Sequence, residues 1–212
     1  MKRVLLVEGV DDEHVVKNLC GERQIGKIDE IKNCKGYTNL LIEFPVRLKA
    51  SEVSDVLGIV IDADTDLASR WQSIRDKIVQ AGFSSVTDSP VLSGLILDPP
   101  FNSLLPRLGV WLMPNNQLPG VLEDFIRLLV PEGDRLFPYA QTCVRGIEPD
   151  LKHFRDLDLP KVNIHTWLAW QREPGKPLGQ SITSHVLDAH SPAAALFSNW
   201  LKALYFPENS LE

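Results

Sequence analysis

The sequence predicts an α/β fold in which helices cover a mostly parallel β-sheet. Two apolar runs, 4–7 and 56–61, are continuous rather than alternating, which is typical of strands buried on both faces of a sheet. Segments with apolar residues at helical spacing lie between the strand-like runs over residues 1–130. Because parallel strands need such crossovers, the alternation of the two patterns favours this class over an antiparallel sandwich or a helical bundle.

The strands are expected where apolar runs are bounded by turn residues. They are 4–7, a weaker one within 25–31, 56–61, 94–97 and 108–113. Helical spacing places four helices between or after them, through 15–20, 40–48, 71–79 and 118–130. Gly21 and Gly82 stand where the first and third of these helices would end. Pro45 stands inside the second and is expected to kink or split it.

The character of the sequence changes after Pro131, where aromatic residues and prolines become more frequent. Helical patterns are found within 149–157, 162–171, 181–187 and 192–205. We therefore expect an α/β domain over residues 1–130 and a helical C-terminal extension over 131–212 that packs on it.

Charge and composition argue against several classes of protein. The 212 residues include 22 lysines and arginines against 28 aspartates and glutamates, a formal net charge of -6. A protein that binds long duplex DNA usually carries a basic face, so tight metal-free binding of nucleic acid is not expected. The three cysteines form no C-x-x-C pair, which gives little support to a structural zinc site.

Neither a membrane span nor a secretion signal is expected. No apolar run approaches the ~18 residues that a membrane-spanning helix needs. The first residues lead directly into a strand-like run and lack the layout of a signal peptide. We expect a cytoplasmic protein that makes no contact with a membrane.

Acidic residues follow the ends of the predicted strands. Glu8 follows the first strand, Asp62 and Asp64 follow the third, and Glu123 lies in the helix after the last. In open α/β sheets, ligands bind beyond the carboxyl ends of the strands. Carboxylates held close together there would repel one another and raise each other's pKa unless a cation lies between them. A hard divalent ion such as Mg²⁺ suits this position.

Helix capping is the competing explanation for these acids. Asp64 or Thr65 could cap the helix that begins near residue 66, and Asp11 could cap the first helix. Glu8 and Asp62 stand too early in the sequence to be the best caps of their helices. The joint pattern therefore favours a shared site.

Two motifs at these strand ends resemble a known domain. Segment 8–12 reads E-G-V-D-D, similar to the E-G-x-x-D opening of the TOPRIM domain, and 62–64 reads D-A-D, similar to its D-x-D motif. TOPRIM is the catalytic module of topoisomerases, DnaG-type primases, recombination proteins and OLD-family nucleases. Over most of its length, with segments 109–116 and 119–124, the chain is also similar to a bacterial family of uncharacterised TOPRIM-like proteins, the DUF3226 group.

The resemblance implies a TOPRIM-like fold and a role for each acid. Glu8 matches a glutamate that acts as a general acid or base or as a metal-associated carboxylate. Asp62 and Asp64 match the aspartates that bind Mg²⁺, or Mn²⁺ in its place. Asp12 matches the less demanding acid of the first motif, and Glu123 is a possible further carboxylate, as in the OLD-like branch.

The favoured function is metal-dependent phosphoryl transfer on nucleic acid, and the expected reaction is phosphodiester hydrolysis by a nuclease. Because the sequence contains no P-loop motif, an ATPase that works with this domain is expected to be a separate partner. One alternative is a non-catalytic module that binds metal or a partner protein. A second alternative is a receiver-like phosphoacceptor domain, which would need a lysine before Pro114, where Met113 stands instead.

Overall fold

A five-stranded sheet forms the centre of the computed structural model, which describes residues 1–207. The strands are β1 (Arg3–Val7), β2 (Glu30–Asn33), β3 (Val56–Asp62), β4 (Leu95–Leu97) and β5 (Arg107–Met113). Their order is β2-β1-β3-β5-β4. Four strands run parallel, and β4 pairs with β5 in the antiparallel sense. The predicted α/β class with a mostly parallel sheet is confirmed.

Helices cover both faces of the sheet. They are α1 (Val10–Glu22), α2 (Tyr37–Ala50), α3 (Leu67–Ala81), α4 (Leu122–Arg127), α5 (Leu136–Arg145), α6 (Leu159–Ala169), α7 (Leu178–Thr183) and α8 (Pro192–Tyr205). Helices α2 and α3 share one buried hydrophobic cluster with the sheet, and α1 shares the opposite cluster with the C-terminal helices. Successive residues of a strand point to opposite faces, so β1, β3 and β5 contribute to both clusters.

Helix α8 packs directly on the middle of the sheet, where two strand positions are glycines. A methyl group on Gly58 would lie 2.3 Å from Tyr205 Oη, and one on Gly109 would lie 2.3 Å from Leu204 Cδ2. Tyr205 Oη donates a hydrogen bond to the carbonyl oxygen of Val4 at 2.7 Å. The division into a domain at 1–130 and an extension at 131–212 stays a prediction.

Two predicted helices are shorter than their patterns suggest. The helix expected over 118–130 is reduced to α4. At its start, Gly120 has a φ of 147°, which is not a helical conformation. At its end, the backbone N–H groups of residues 128–130 bond to carbonyl groups three residues earlier instead of four, so the α-helix stops there. The helix expected within 149–157 is replaced by two 3₁₀ turns, Pro149–Leu151 and Asp156–Asp158.

Two further expectations are corrected in the first half of the chain. Pro45 does not split α2, since the buried residues Leu40, Phe44 and Leu48 continue at helical spacing across it. The weak strand expected within 25–31 lies later, as β2. None of the helices within residues 1–207 combines the length and the apolar character that crossing a membrane requires.

Candidate functional site

The acids that end β1 and β3 lie side by side at the carboxyl edge of the sheet. The two strands pair in parallel, with Val7 opposite Val60. The backbone N–H of Asp62 donates a hydrogen bond to Glu8 Oε1 at 2.9 Å. The predicted juxtaposition of these strand ends is therefore confirmed. Gly9 has an extended backbone and begins α1, so the chain leaves β1 with the Glu8 side chain turned toward β3.

A cleft of about 550 Å³ opens at this edge. Its walls carry four of the five predicted acids together with two lysines: Glu8, Asp12, Asp62, Glu123, Lys35 and Lys161. The end of β1, the first turn of α1, the turn after β2 and the end of β3 contribute to its lining, as do the first turns of α4 and α6. The cleft thus has an acidic floor and a cation from each side, a composition that suits a divalent ion and a phosphate group.

Asp12 combines a capping contact with an oxygen that is left unsatisfied. It lies in the first turn of α1 and is only 6% exposed. Its Oδ2 accepts a hydrogen bond from the backbone N–H of Gly9 at 3.0 Å. Its Oδ1 is buried and has no hydrogen-bond partner within residues 1–207. A buried carboxylate oxygen without a donor is costly, which points to a missing ligand.

Burial and neighbouring negative charges raise the pKa of three carboxyl groups in the cleft. Burial, and next the charge of Glu8, raise the pKa of Asp12 to about 7. Burial and the charges of Asp12, Glu8 and Glu123 raise the pKa of Asp62 well above its ordinary value. Burial also raises the pKa of Glu8, against the opposing effects of the Asp62 N–H and the nearby Arg70. A bound cation would reverse this balance by favouring the charged forms.

Asp62 carries a second unsatisfied oxygen. Its Oδ1 is buried and has no hydrogen-bond partner in the described part of the chain. Asp12 and Asp62 therefore each hold one free, buried carboxylate oxygen on the same cleft. No group of three His, Cys, Asp or Glu side chains within residues 1–207 is already arranged to hold a metal. Mg²⁺ commonly uses one or two carboxylates and completes its shell with water and phosphate, so the donor set still fits it.

Asp64, the fifth predicted acid, lies outside the lining of this cleft. Its φ is 56°, and its backbone N–H bonds to the carbonyl oxygen of Gly120 at 2.8 Å. This conformation turns its exposed carboxylate toward Arg70, whose Nη2 lies 2.5 Å from Oδ2. The guanidinium group of Arg70 in turn lies over the ring of Tyr37, 3.6 Å from its centroid. Asp64 is thus close to the floor but neutralised by an arginine.

The capping alternatives proposed for the acids are also resolved by the geometry. Asp66, rather than Asp64 or Thr65, caps α3, since its Oδ1 accepts the backbone N–H of Ser69 at 3.0 Å. Gly9, rather than Asp11, is the N-cap of α1. Glu8 and Asp62 cap neither helix.

The two lysines of the cleft come from different elements, and neither is among the predicted site residues. Lys35 lies in the turn after β2 with a φ of 60°, and the neighbouring Gly36 N–H bonds to the carbonyl oxygen of Glu8 at 2.8 Å. This turn is therefore fixed to the backbone of the acidic floor. Lys161 was missed, because nothing in its local sequence separates it from other surface lysines. It reaches the cleft from the first turn of α6, with Nζ 3.9 Å from Glu123 Oε1.

Comparison with known proteins gives a family but no described relative. Neither the curated proteins nor the solved structures include a match to this chain. A family model described as a protein of unknown function, DUF3226, matches residues 2–206, which is nearly the whole sequence. The chain belongs to the DUF3226 family.

Proposed function

We propose that this protein is a TOPRIM-like, metal-dependent phosphodiesterase that acts on nucleic acid. The observation that carries the proposal is the convergence of buried carboxyl groups at the carboxyl edge of the sheet, where Asp12 Oδ1 and Asp62 Oδ1 have no partner within residues 1–207. Two desolvated acids of like charge are unfavourable for folding alone. Their arrangement is readily explained if a cation and a phosphate complete it.

Asp12 and Asp62 are the residues that would hold Mg²⁺ or Mn²⁺ through their free oxygens. Asp64, by the TOPRIM resemblance, would join them if its carboxylate exchanged Arg70 for the ion, and Glu123 lies on the same cleft as a further oxygen donor. When bound, the ion would polarise a phosphoryl oxygen and lower the pKa of a coordinated water.

Glu8 is the residue best placed to accept the proton of an attacking water. One of its oxygens is oriented by the Asp62 N–H, and the residue lines the cleft. Its pKa is raised from its ordinary value. A carboxylate is a stronger base when its pKa lies closer to the working pH, so the burial that raises this pKa assists proton transfer.

Lys35 would stabilise the negative charge of the phosphate that enters the cleft. Its turn is fixed to the Glu8 backbone by the Gly36 N–H, so the main chain of this residue is held beside the proposed base while its exposed side chain can reach into the cleft. Lysine binds phosphate as a point charge and needs no particular fork geometry.

A non-catalytic binding module is the second candidate. It is favoured by the formal net charge of -6, which gives the chain little general attraction for nucleic acid. Such a module would use the same cleft to bind a divalent ion or a cationic segment of a partner protein, without turnover.

The test is a cleavage assay with supercoiled DNA, single-stranded DNA and RNA in Mn²⁺ or Mg²⁺ without ATP. The wild type should cleave at least one substrate, and Glu8→Gln and Asp62→Asn should each lose activity by about a hundredfold or more. Asp150→Asn, an exposed acid far from the cleft lining, is the matched control and should retain full activity. Equal residual cleavage in all variants, or none by the wild type, would contradict the proposal and favour the binding module.

A further inference from the structure

The ammonium group of Lys161 reaches the cleft but contributes little to the stability of the fold. Its side chain is 58% exposed, whereas that of its neighbour Glu123 is 12% exposed. The Nζ–Oε1 distance of 3.9 Å is beyond hydrogen-bond range, and such exposed ion pairs contribute only about 0–1 kcal/mol. Lys161 therefore does not form a strong ion pair with Glu123.

The position of Lys161 is nevertheless well defined, because α6 is anchored by other residues. Ile164, Trp167 and Leu168 are each 1% exposed and belong to the main hydrophobic cluster. Trp167 also makes an edge contact with Phe137 of α5, with ring centroids 6.0 Å apart. The first turn of α6 thus presents Lys161 to the cleft from a rigid helix.

The acid nearest to Lys161 in sequence does not neutralise it. Asp158, which also lines the cleft, accepts two hydrogen bonds from Arg155, at 2.8 Å and 2.9 Å. This fork-like pair satisfies the Asp158 carboxylate. Lys161 attracts Asp158 more weakly than Arg155 does, so its ammonium group remains available to a ligand in the cleft.

We infer that Lys161 binds a backbone phosphate of a single nucleic-acid strand whose neighbouring phosphodiester lies over Glu8 and Asp62. This inference rests on the proposed function. Lys35 comes from the loop after β2, beside β1, whereas Lys161 belongs to α6, which packs on α4 after β5. The two lysines therefore flank the carboxyl edge, and a strand crossing the acidic floor meets a cation on each side.

The cleft fits a strand of few phosphates better than a duplex. Its volume of about 550 Å³ is within the range of small-ligand sites, and the described lining carries two lysines. A duplex-binding surface typically makes several more phosphate contacts. A chain with a net charge of -6 offers little additional attraction at a distance, so each local cation matters.

The test measures binding of a short fluorescein-labelled oligothymidylate by fluorescence anisotropy, at several salt concentrations and constant Ca²⁺. Ca²⁺ has the charge and oxygen preference of Mg²⁺ and serves as a probe for binding. Each phosphate contact on a single strand contributes about 0.7 to the slope of log K against log salt. Lys161→Gln should lower that slope by about 0.7, and Lys161→Arg should restore it.

Lys176→Gln is the matched control, because Lys176 lies in the same half of the chain, pairs with Glu173 at 3.1 Å and is not part of the cleft lining. Its slope should equal that of the wild type. An unchanged slope for Lys161→Gln, or an equal loss in the control, would overturn the assignment of Lys161 while the proposed function stands. Failure of the wild type to bind oligothymidylate would also overturn this inference, whereas the proposed function is overturned only if no nucleic acid is cleaved in the Mn²⁺ or Mg²⁺ assay.

Discussion

Glu8 and Asp62 are joined through a main-chain atom, since the backbone N–H of Asp62 donates to Glu8 Oε1 at 2.9 Å. The contact links the ends of two neighbouring strands, but it does not involve the Asp62 carboxyl group. Replacing the Asp62 side chain therefore leaves the donor that orients Glu8 in place. The main-chain hydrogen bond to Glu8 is therefore expected to survive in Asp62→Asn, while the charges of the two carboxyl groups remain coupled.

Asp62→Asn should raise the melting temperature of the metal-free protein. The buried carboxylate is repelled by Asp12, Glu8 and Glu123, and its replacement by a neutral amide removes that repulsion. Because burial and these charges raise the pKa of Asp62 itself, the gain in the free energy of unfolding should appear above the ordinary pKa of an aspartate and be on the order of 1 kcal/mol at neutral pH. Thermal melts followed by circular dichroism measure it.

The same variant should lose stabilisation by metal. A wild-type protein that binds Mn²⁺ or Mg²⁺ only when folded is stabilised by about 2.7 kcal/mol when free metal is roughly 100 times its Kd. Asp150→Asn, exposed and outside the cleft lining, should melt like the wild type with and without metal. If the melting temperature of the wild type is the same with and without millimolar Mn²⁺ or Mg²⁺, a physiological metal site is contradicted.

The metal-free protein should become less stable as the pH rises from the ordinary pKa of an aspartate, 3.8, to about 7. In this window the folded protein keeps a proton on Asp12 that the unfolded chain has released. The free energy of unfolding then falls with pH, and Asp12 adds no further change above about 7. Denaturant titrations across this range measure the slope.

Asp12→Asn should flatten this pH dependence, because the amide cannot titrate and its oxygen can still accept the Gly9 N–H. The raised pKa values of Asp62 and Glu8 have the same sign, so part of the slope should remain. Identical slopes for the variant and the wild type would mean that Asp12 titrates normally. Addition of a tightly bound divalent ion should reverse the trend, since charged carboxylates would then be favoured.

Gly58→Ala should destabilise the protein by about 1–3 kcal/mol through overpacking. The added methyl group would meet Tyr205 Oη at 2.3 Å and Leu5 Cδ1 at 2.8 Å. Gly21→Ala is the matched control, since its methyl group meets nothing within 4 Å in α1 and should be neutral or stabilising. Chemical denaturation gives both values, and an equal effect of the two substitutions would contradict the close packing of α8 on β3.

Asp66→Ala should destabilise the protein by about 1 kcal/mol, because it removes the side chain that caps α3. Thr65→Ala tests the position that the sequence offered as an alternative cap. That substitution should leave the free energy of unfolding unchanged within a few tenths of a kcal/mol. The reverse order of the two effects would show that the helix begins one residue earlier in solution.

Strong local patterns made much of the fold predictable. The runs 4–7, 56–61 and 108–113 were found because buried parallel strands are continuously apolar, and 192–205 was predicted with the bounds of α8. The meeting of Glu8 and Asp62 followed from one rule, that the carboxyl ends of parallel strands share an edge. These features depend on residues close together in sequence.

What the sequence did not reveal depends on distant partners or on single backbone angles. Lys161 reaches Glu123 only because α6 packs on α4, a contact between elements far apart in the chain. Asp64 turns toward Arg70 because its φ is positive, and the hydrophobic periodicity of the sequence gives no indication of a single backbone angle. The placement of β2 was shifted because its pairing with β1, rather than its own apolar pattern, determines its ends.

The stacking of α8 on β1, β3 and β5 also affects the order in which the molecule can assemble. The strand synthesised early, β1, has one face closed by a helix that leaves the ribosome almost 200 residues later, with Tyr205 bonded to Val4. During translation that face must stay exposed or be shielded by a chaperone, because domains generally fold as units. Native protection of the β1 amides in ribosome-bound chains should therefore arise only after α8 has emerged.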